Sequence, residues 1–170
     1  MFKSDFKTDV SKVLLLGMNN PLSDDPAFDL YPYPEGSAGY RLWKMLPEGT
    51  TRMQYIAAFD RMNLLRARRW DGAAAHAAGK VLLPSLAGRV VVVFGTEVRK
   101  ALGFRQAEPL SFHEDGGSVR WVAFPHPSGF NRWFNDPDNY ARACSLLEQL
   151  RRASEGGIVD AFWRNYTHAA

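Results

Sequence analysis

Two short runs in this 170-residue chain are apolar at every position and end in glycine: Val13-Leu14-Leu15-Leu16-Gly17 and Val90-Val91-Val92-Val93-Phe94-Gly95. A strand wetted on one face alternates apolar with polar residues. A run with no polar side is buried on both faces, which is the habit of parallel sheets. Parallel neighbours cannot be joined by a tight turn and need a crossover, usually a helix.

The segments around these runs supply the helices. Ser37 can cap a helix through Tyr40, Leu42, Trp43 and Leu46, stopped by Pro47. Asp71 to Leu83 reads as an alanine-rich helix capped by Asp71, and Thr96 as the cap of a helix through Leu102. Asp136 to Arg152 is amphipathic, with Ala143, Leu146, Leu147 and Leu150 inward; Gly156-Gly157 breaks it before a last helix over Ile158 to Tyr166. Val119 to Phe124 reads as a strand. Phe112 to Gly117 reads as a hairpin connection turning at Asp115-Gly116-Gly117. Met53 to Phe59 reads as a strand or buried edge, Asp60 to Trp70 as a loop, and Asn19 to Gly36 as an ordered loop rich in Pro, Asp and Tyr. Alternating strands and helices predict an α/β fold: a three-layer α/β/α sandwich around a mostly parallel sheet of four to five strands. Residues 1–170 read as one domain.

Bulk properties exclude little. Hydrophobic residues make up 46% and charged residues 23%, an ordinary globular balance, and a net charge of +3 permits a nucleic-acid partner without requiring one. Cys144 is the single cysteine. An internal disulfide, a four-cysteine zinc site and a cysteine-ligated iron–sulfur cluster are therefore excluded within one chain, and a reducing, cytoplasmic setting is expected. No apolar run nears the ~20 residues of a membrane span, and Met1 to Phe6 lacks the apolar stretch of a signal peptide.

Ligands of such sheets bind outside the C-terminal ends of the strands. Two unusual segments fall there. Gly17-Met18-Asn19-Asn20-Pro21 follows the first strand. Pro125-His126-Pro127-Ser128-Gly129-Phe130-Asn131-Arg132 follows the strand over Val119 to Phe124. The second segment sets one imidazole between two prolines and follows it with a bulky apolar tip and a cation.

With those residues in view, the chain resembles the uracil-DNA glycosylase superfamily over most of its length, nearest to the mismatch-specific and single-strand-selective branches. Leu14-Leu15-Leu16-Gly17-Met18-Asn19 resembles the family's first motif, and Tyr40-Arg41-Leu42-Trp43-Lys44-Met45-Leu46 the helix after it. Val90 to Leu102 is similar to the central strand, glycine and helix. His126-Pro127-Ser128-Gly129-Phe130-Asn131-Arg132 resembles the second motif, a minor-groove intercalation loop, and Asn63 the asparagine that reads a base edge.

The resemblance implies excision of a flipped uracil-like or modified pyrimidine from DNA by a monomer, with no metal or organic cofactor and no membrane partner. Asn19 would hold the attacking water. His126, as a neutral imidazole, would stabilise the negative charge on the departing base. Met18, Asn20, Tyr31, Tyr33 and Asn63 would contact the base, with one of the tyrosines as its stacking floor. Phe130 would fill the gap left in the duplex, and Ser128, Gly129, Asn131 and Arg132 would meet the DNA backbone. No lysine stands at a motif position to form a Schiff base, so lyase activity is not expected.

The chain departs from the family in two places. Asn20 stands between Asn19 and Pro21, so either asparagine can be the water holder. Pro21 occupies the place of the aromatic gate of strict uracil enzymes; with the long loop from Leu22 to Gly36, this suggests entry of a 5-substituted pyrimidine, such as those of modified viral DNA. A catalytically silent DNA-binding relative and a protein acting on free nucleosides are the competing readings. Locally, Asn63 can equally cap a loop. Arg66, Arg68 and Arg69 can grip phosphate or form a solvated surface. Asp24 and Asp25 read as loop residues, His76 as packing or surface, and His113 and Glu114 as exposed. Asp136, Asp138 and Asn139 read as the start of the last long helix.

Overall fold

A computed structural model describes residues 9–115 and 117–168. Met1 to Phe6, and Gly116 of the expected turn, lie outside the described residues. The chain is an α/β protein: five strands form one sheet in the order β2-β1-β3-β5-β4, with helices on both faces. The strands are β1 (Leu14–Gly17), β2 (Asp60–Asn63), β3 (Val90–Phe94), β4 (Phe112–Asp115) and β5 (Val119–Phe124). β2, β1, β3 and β5 run parallel, and β4 joins β5 antiparallel as an edge hairpin. The three-layer expectation stands.

The pleat divides the core. Leu15, Val90, Val92, Phe94, Val122 and Phe124 point to one face, against α1 (Ala38–Met45), α2 (Arg52–Ala58), α5 (Pro137–Glu155) and α6 (Val159–His168). Leu14, Leu16, Val91, Val93, Val119 and Trp121 point to the other, against α3 (Gly72–Leu82) and α4 (Thr96–Ala101). Every side chain of β3 is buried on one face or the other, which accounts for its unbroken apolar sequence.

Several local expectations hold. Ser37 Oγ accepts from Tyr40 N–H at 3.2 Å and caps α1. Asp71 caps α3, Asp136 caps α5, and Ala143, Leu146, Leu147 and Leu150 of α5 are buried. Others need correction. Met53 to Phe59 is not a strand: it falls in α2 and its cap. Thr51 Oγ1 accepts from Gln54 N–H at 3.1 Å, Gln54 Oε1 accepts from Thr51 N–H at 2.7 Å, and this reciprocal box starts a helix. The loop expected from Asp60 begins instead with β2, whose polar residues suit an edge position. Thr96 is the first residue of α4 and not its cap; Gly95 holds the cap position with φ +85°. His113 is half-buried: its ring lies 4.7 Å from that of Trp121 and its Nε2 is 2.6 Å from Ser111 Oγ.

The chain leaves β1 toward β2 on one side and returns to β3 on the other. The sheet order therefore reverses between β1 and β3, where open α/β sheets bind their ligands. Among the described residues no helix is long and apolar enough to cross a membrane.

Candidate active site

Asn19, Asn20, Tyr31, Tyr33 and Asn63 line one cavity of about 490 Å³ beyond the ends of β1 and β2. Register explains how Asn63 gets there. Gly17 pairs with Asn63 across the sheet. A side chain on Gly17 would collide with the Asn63 side-chain oxygen Oδ1 and with Leu30, so only glycine leaves room for that amide. Asn63 is 4% exposed. Its Nδ2 donates to Asp29 Oδ1 at 3.1 Å, and its backbone N–H donates to Asp29 Oδ2 at 2.9 Å.

The two asparagines of the first motif differ in what they have left to offer. Asn20 Nδ2 donates to Phe28 O at 3.2 Å and its Oδ1 accepts from Leu22 N–H at 3.0 Å, so both ends brace the loop. Asn19 Nδ2 donates to Ala67 O at 3.1 Å, and no described donor reaches its Oδ1. That fixes the Asn19 amide and leaves an acceptor for water. Asn20 lines the same cavity with its amide tied into the loop.

Met18 does not line the cavity: its side chain packs on the core beneath α3 and α4, and its carbonyl accepts from Leu65 N–H at 3.0 Å. Tyr31 is half-buried, with its ring edge-on to Phe28 at 5.7 Å and the Arg61 guanidinium 5.8 Å from its centre. Tyr33 is 63% exposed. Tyr31 is thus the better held aromatic face, and Phe28, which the sequence did not single out, joins it in the lining.

His126 stands at the end of β5, on the other side of β3. Its Cβ would lie 3.1 Å from any Cβ on Gly95, whose φ of +85° already favours glycine. Burial alone holds the imidazole's pKa below the ordinary histidine value, and no described group bonds to the ring nitrogens. A neutral ring with a free N–H follows at neutral pH. His126 lines a second cavity, about 280 Å³, with Gly95, Thr96, Trp121 and Trp133. Asn19 and His126 therefore do not share a cavity. They emerge from strands flanking β3, roughly 10 Å apart at the sheet.

Beyond His126 the loop projects outward. Phe130 is 96% exposed. Asn131 does not reach outward: Nδ2 donates to His126 O at 3.0 Å and Oδ1 accepts from Trp133 N–H at 3.1 Å, bracing the loop under its tip. Arg132 is exposed. Ser128 and Gly129 border a groove of about 400 Å³ with Tyr40, Arg41 and Lys44. Arg41 was not singled out in the sequence, yet its guanidinium lies against Gly129, where a Cβ would come within 2.5 Å of Nη2. Arg66 is no free phosphate grip: it pairs with the buried Asp29. Arg68 and Arg69 are exposed.

The family-model, curated-protein and solved-structure comparisons return no match for this chain. The geometry of these strand ends therefore carries the functional reading.

Proposed function

We propose that this protein is a monofunctional DNA glycosylase that takes up a flipped pyrimidine and hydrolyses its N-glycosidic bond. The observation that carries this is the gathering of Asn19, Tyr31 and Asn63 on one cavity, with a neutral His126 and an exposed Phe130 beyond the end of β5, across β3 from β1. Asn19 Oδ1 accepts from the attacking water. The C1′–N1 bond breaks, its electron pair leaves with the base, and the water oxygen bonds to C1′; the water gives up one proton, which ends on the departing base through solvent, so the products are an abasic sugar and a neutral pyrimidine. The His126 N–H faces O2 of the departing base. A donor aimed at developing negative charge in a dry site is worth ~3 kcal/mol. Phe130 takes the place of the extruded base, offsetting an unstacking cost of a few kcal/mol. Arg41, Arg132 and Ser128 meet phosphates.

Asn19 and His126 lie in separate cavities, so the substrate itself spans them: sugar over the end of β3, base toward β1 and β2. The reading needs no metal or organic cofactor and one copy of the chain, in a cytoplasmic setting. Pro21 in the cavity wall, where an aromatic gate would stand, favours a 5-substituted pyrimidine among the substrates and a defence role beside repair.

The test is a panel of oligonucleotides carrying uracil, thymine mismatches, and 5-hydroxymethylated and glycosylated pyrimidines, scored for abasic sites by alkaline cleavage. Abasic sites that disappear with Asn19→Ala and with His126→Ala, while DNA is still bound, are the expected result. A parent protein that binds DNA but releases no base makes it the silent relative. Release from free nucleosides without salt-sensitive DNA affinity makes it a nucleoside enzyme.

A further inference from the structure

Asp29 has no part in the chemistry above, yet it is 1% exposed and lies against the base-reading residue. Its oxygens face N–H donors: Asn63 N–H at 2.9 Å and Arg66 Nη1 on Oδ2, Asn63 Nδ2 at 3.1 Å on Oδ1. A carboxylate only accepts. The Asn63 carboxamide cannot turn over without setting its oxygen against a carboxylate oxygen. Its Oδ1 is accordingly held beside Gly17, where it is the nearest atom to the space a Cβ would fill.

We propose that Asp29 is a positioning residue that sets base specificity: it locks the Asn63 amide with oxygen toward β1, so that the pocket takes 4-keto pyrimidines and rejects 4-amino ones. This rests on the glycosylase reading. The sense follows from the sheet order β2-β1-β3-β5. A pyrimidine with O2 toward His126, after β5, turns N3 toward the near side of Asn63 and its C4 substituent toward the far side. On the near side Oδ1 accepts from N3–H. On the far side the second Nδ2 hydrogen donates to the 4-keto oxygen. A cytosine-type base reverses both groups, setting its N3 lone pair against Oδ1 and its amino hydrogens against those of Nδ2. Sites built around such bonds reject the wrong partner steeply, by roughly 10⁴-fold. The 5-position takes no part, so the lock admits uracils with a 5-substituent while excluding modified cytosines.

The experiment compares excision of uracil and cytosine series by the parent, Asp29→Asn and Arg66→Gln. In Asp29→Asn the new amide can donate or accept, Asn63 is free to turn, and the uracil-over-cytosine preference falls by at least about tenfold, the worth of one hydrogen bond. Arg66→Gln removes the ion pair but keeps both Asn63 bonds, and the preference stays. An active parent whose preference survives Asp29→Asn, or is relaxed as much by Arg66→Gln, overturns the lock and leaves the glycosylase reading intact. A parent that releases no base at all sinks that reading instead. A second measurement needs neither catalysis nor a variant: titrating free uracil and free cytosine into the parent while following the Asn63 side-chain amide by NMR. Uracil alone should move that resonance, and an equal shift with cytosine overturns the proposal.

Discussion

The two strand-end sites, one on each side of β3, are built by opposite means. On the β1–β2 side, buried polar groups hold one another: Asp29 and Asn63 are 1% and 4% exposed, and loop 18–36 is braced through side chains. On the β5 side rigidity comes from the backbone. Pro125 and Pro127 flank His126, Asn131 ties the loop to itself, and Phe130 stands out at 96% exposure. A buried network fixes donors and acceptors and so can read a base edge, because any mismatch leaves a desolvated group unpaired. A stiff loop with an exposed apolar tip carries no such code. It suits insertion into a stacked polymer, where shape matters and sequence does not.

That contrast breaks most sharply on catalysis. His126→Ala should lower single-turnover excision by about 10²–10³-fold, the worth of one donor to a developing anion, with DNA affinity held. Asn19→Ala should cost about 10²-fold, the usual effect of a misplaced reactant. A His126→Ala rate equal to the parent's would reduce the β5 side to a DNA grip.

The two sides should also separate by stability. Phe130→Ala should cut excision from duplex DNA by roughly tenfold to a hundredfold, from the ~1–3 kcal/mol of a lost stacking contact, and leave the thermal midpoint unchanged. Gly17→Ala should do the reverse in kind. Its methyl must displace Asn63 or Leu30, so it should lower stability by about 1–3 kcal/mol, as overpacking does, and blunt base selection with it. A Phe130→Ala protein that melts earlier would mean the tip packs inward.

The smallest effect is a pH dependence of stability. Burial lowers the folded-state pKa of His126, and of His113 with Arg105 adding to the effect, so the unfolded chain binds more protons as pH falls below the ordinary histidine value. Stability is then fully present above about pH 6.5 and declines as pH falls toward the lowered folded values. His126→Asn should flatten part of that decline, read from thermal midpoints between pH 7 and 5. Asn19 does not ionise, so excision should show no inflection from a carboxylate base in the same range.

Much of the scaffold was legible because it rests on near-neighbour patterns. The buried run of β3, the Ser37 cap of α1 and the inward face of α5 are local signals of period and end chemistry. Met53 to Phe59 misled because a short apolar run suits a strand or a helix alike; the Thr51–Gln54 box was the signal that could have decided it. β2 was hidden by its composition, Asp-Arg-Met-Asn, since an edge strand carries no apolar signature. At the site, the residue types and their places at strand ends were readable. Their duties were divided by contacts: Met18 turned to the core, Asn20 and Asn131 to bracing, and Arg66 to Asp29.

By itself the sequence determined a parallel sheet with helices on both faces, because burial on two faces writes itself into consecutive apolar residues. It also set which chemically able side chains follow those strands. Only the tertiary structure decided which asparagine keeps a free acceptor, and that Asp29 meets Asn63 across 34 residues. Hydrogen-bond partners are chosen by position in space, and the crossover between β1 and β2 brings that carboxylate and that amide together with no local pattern to announce it.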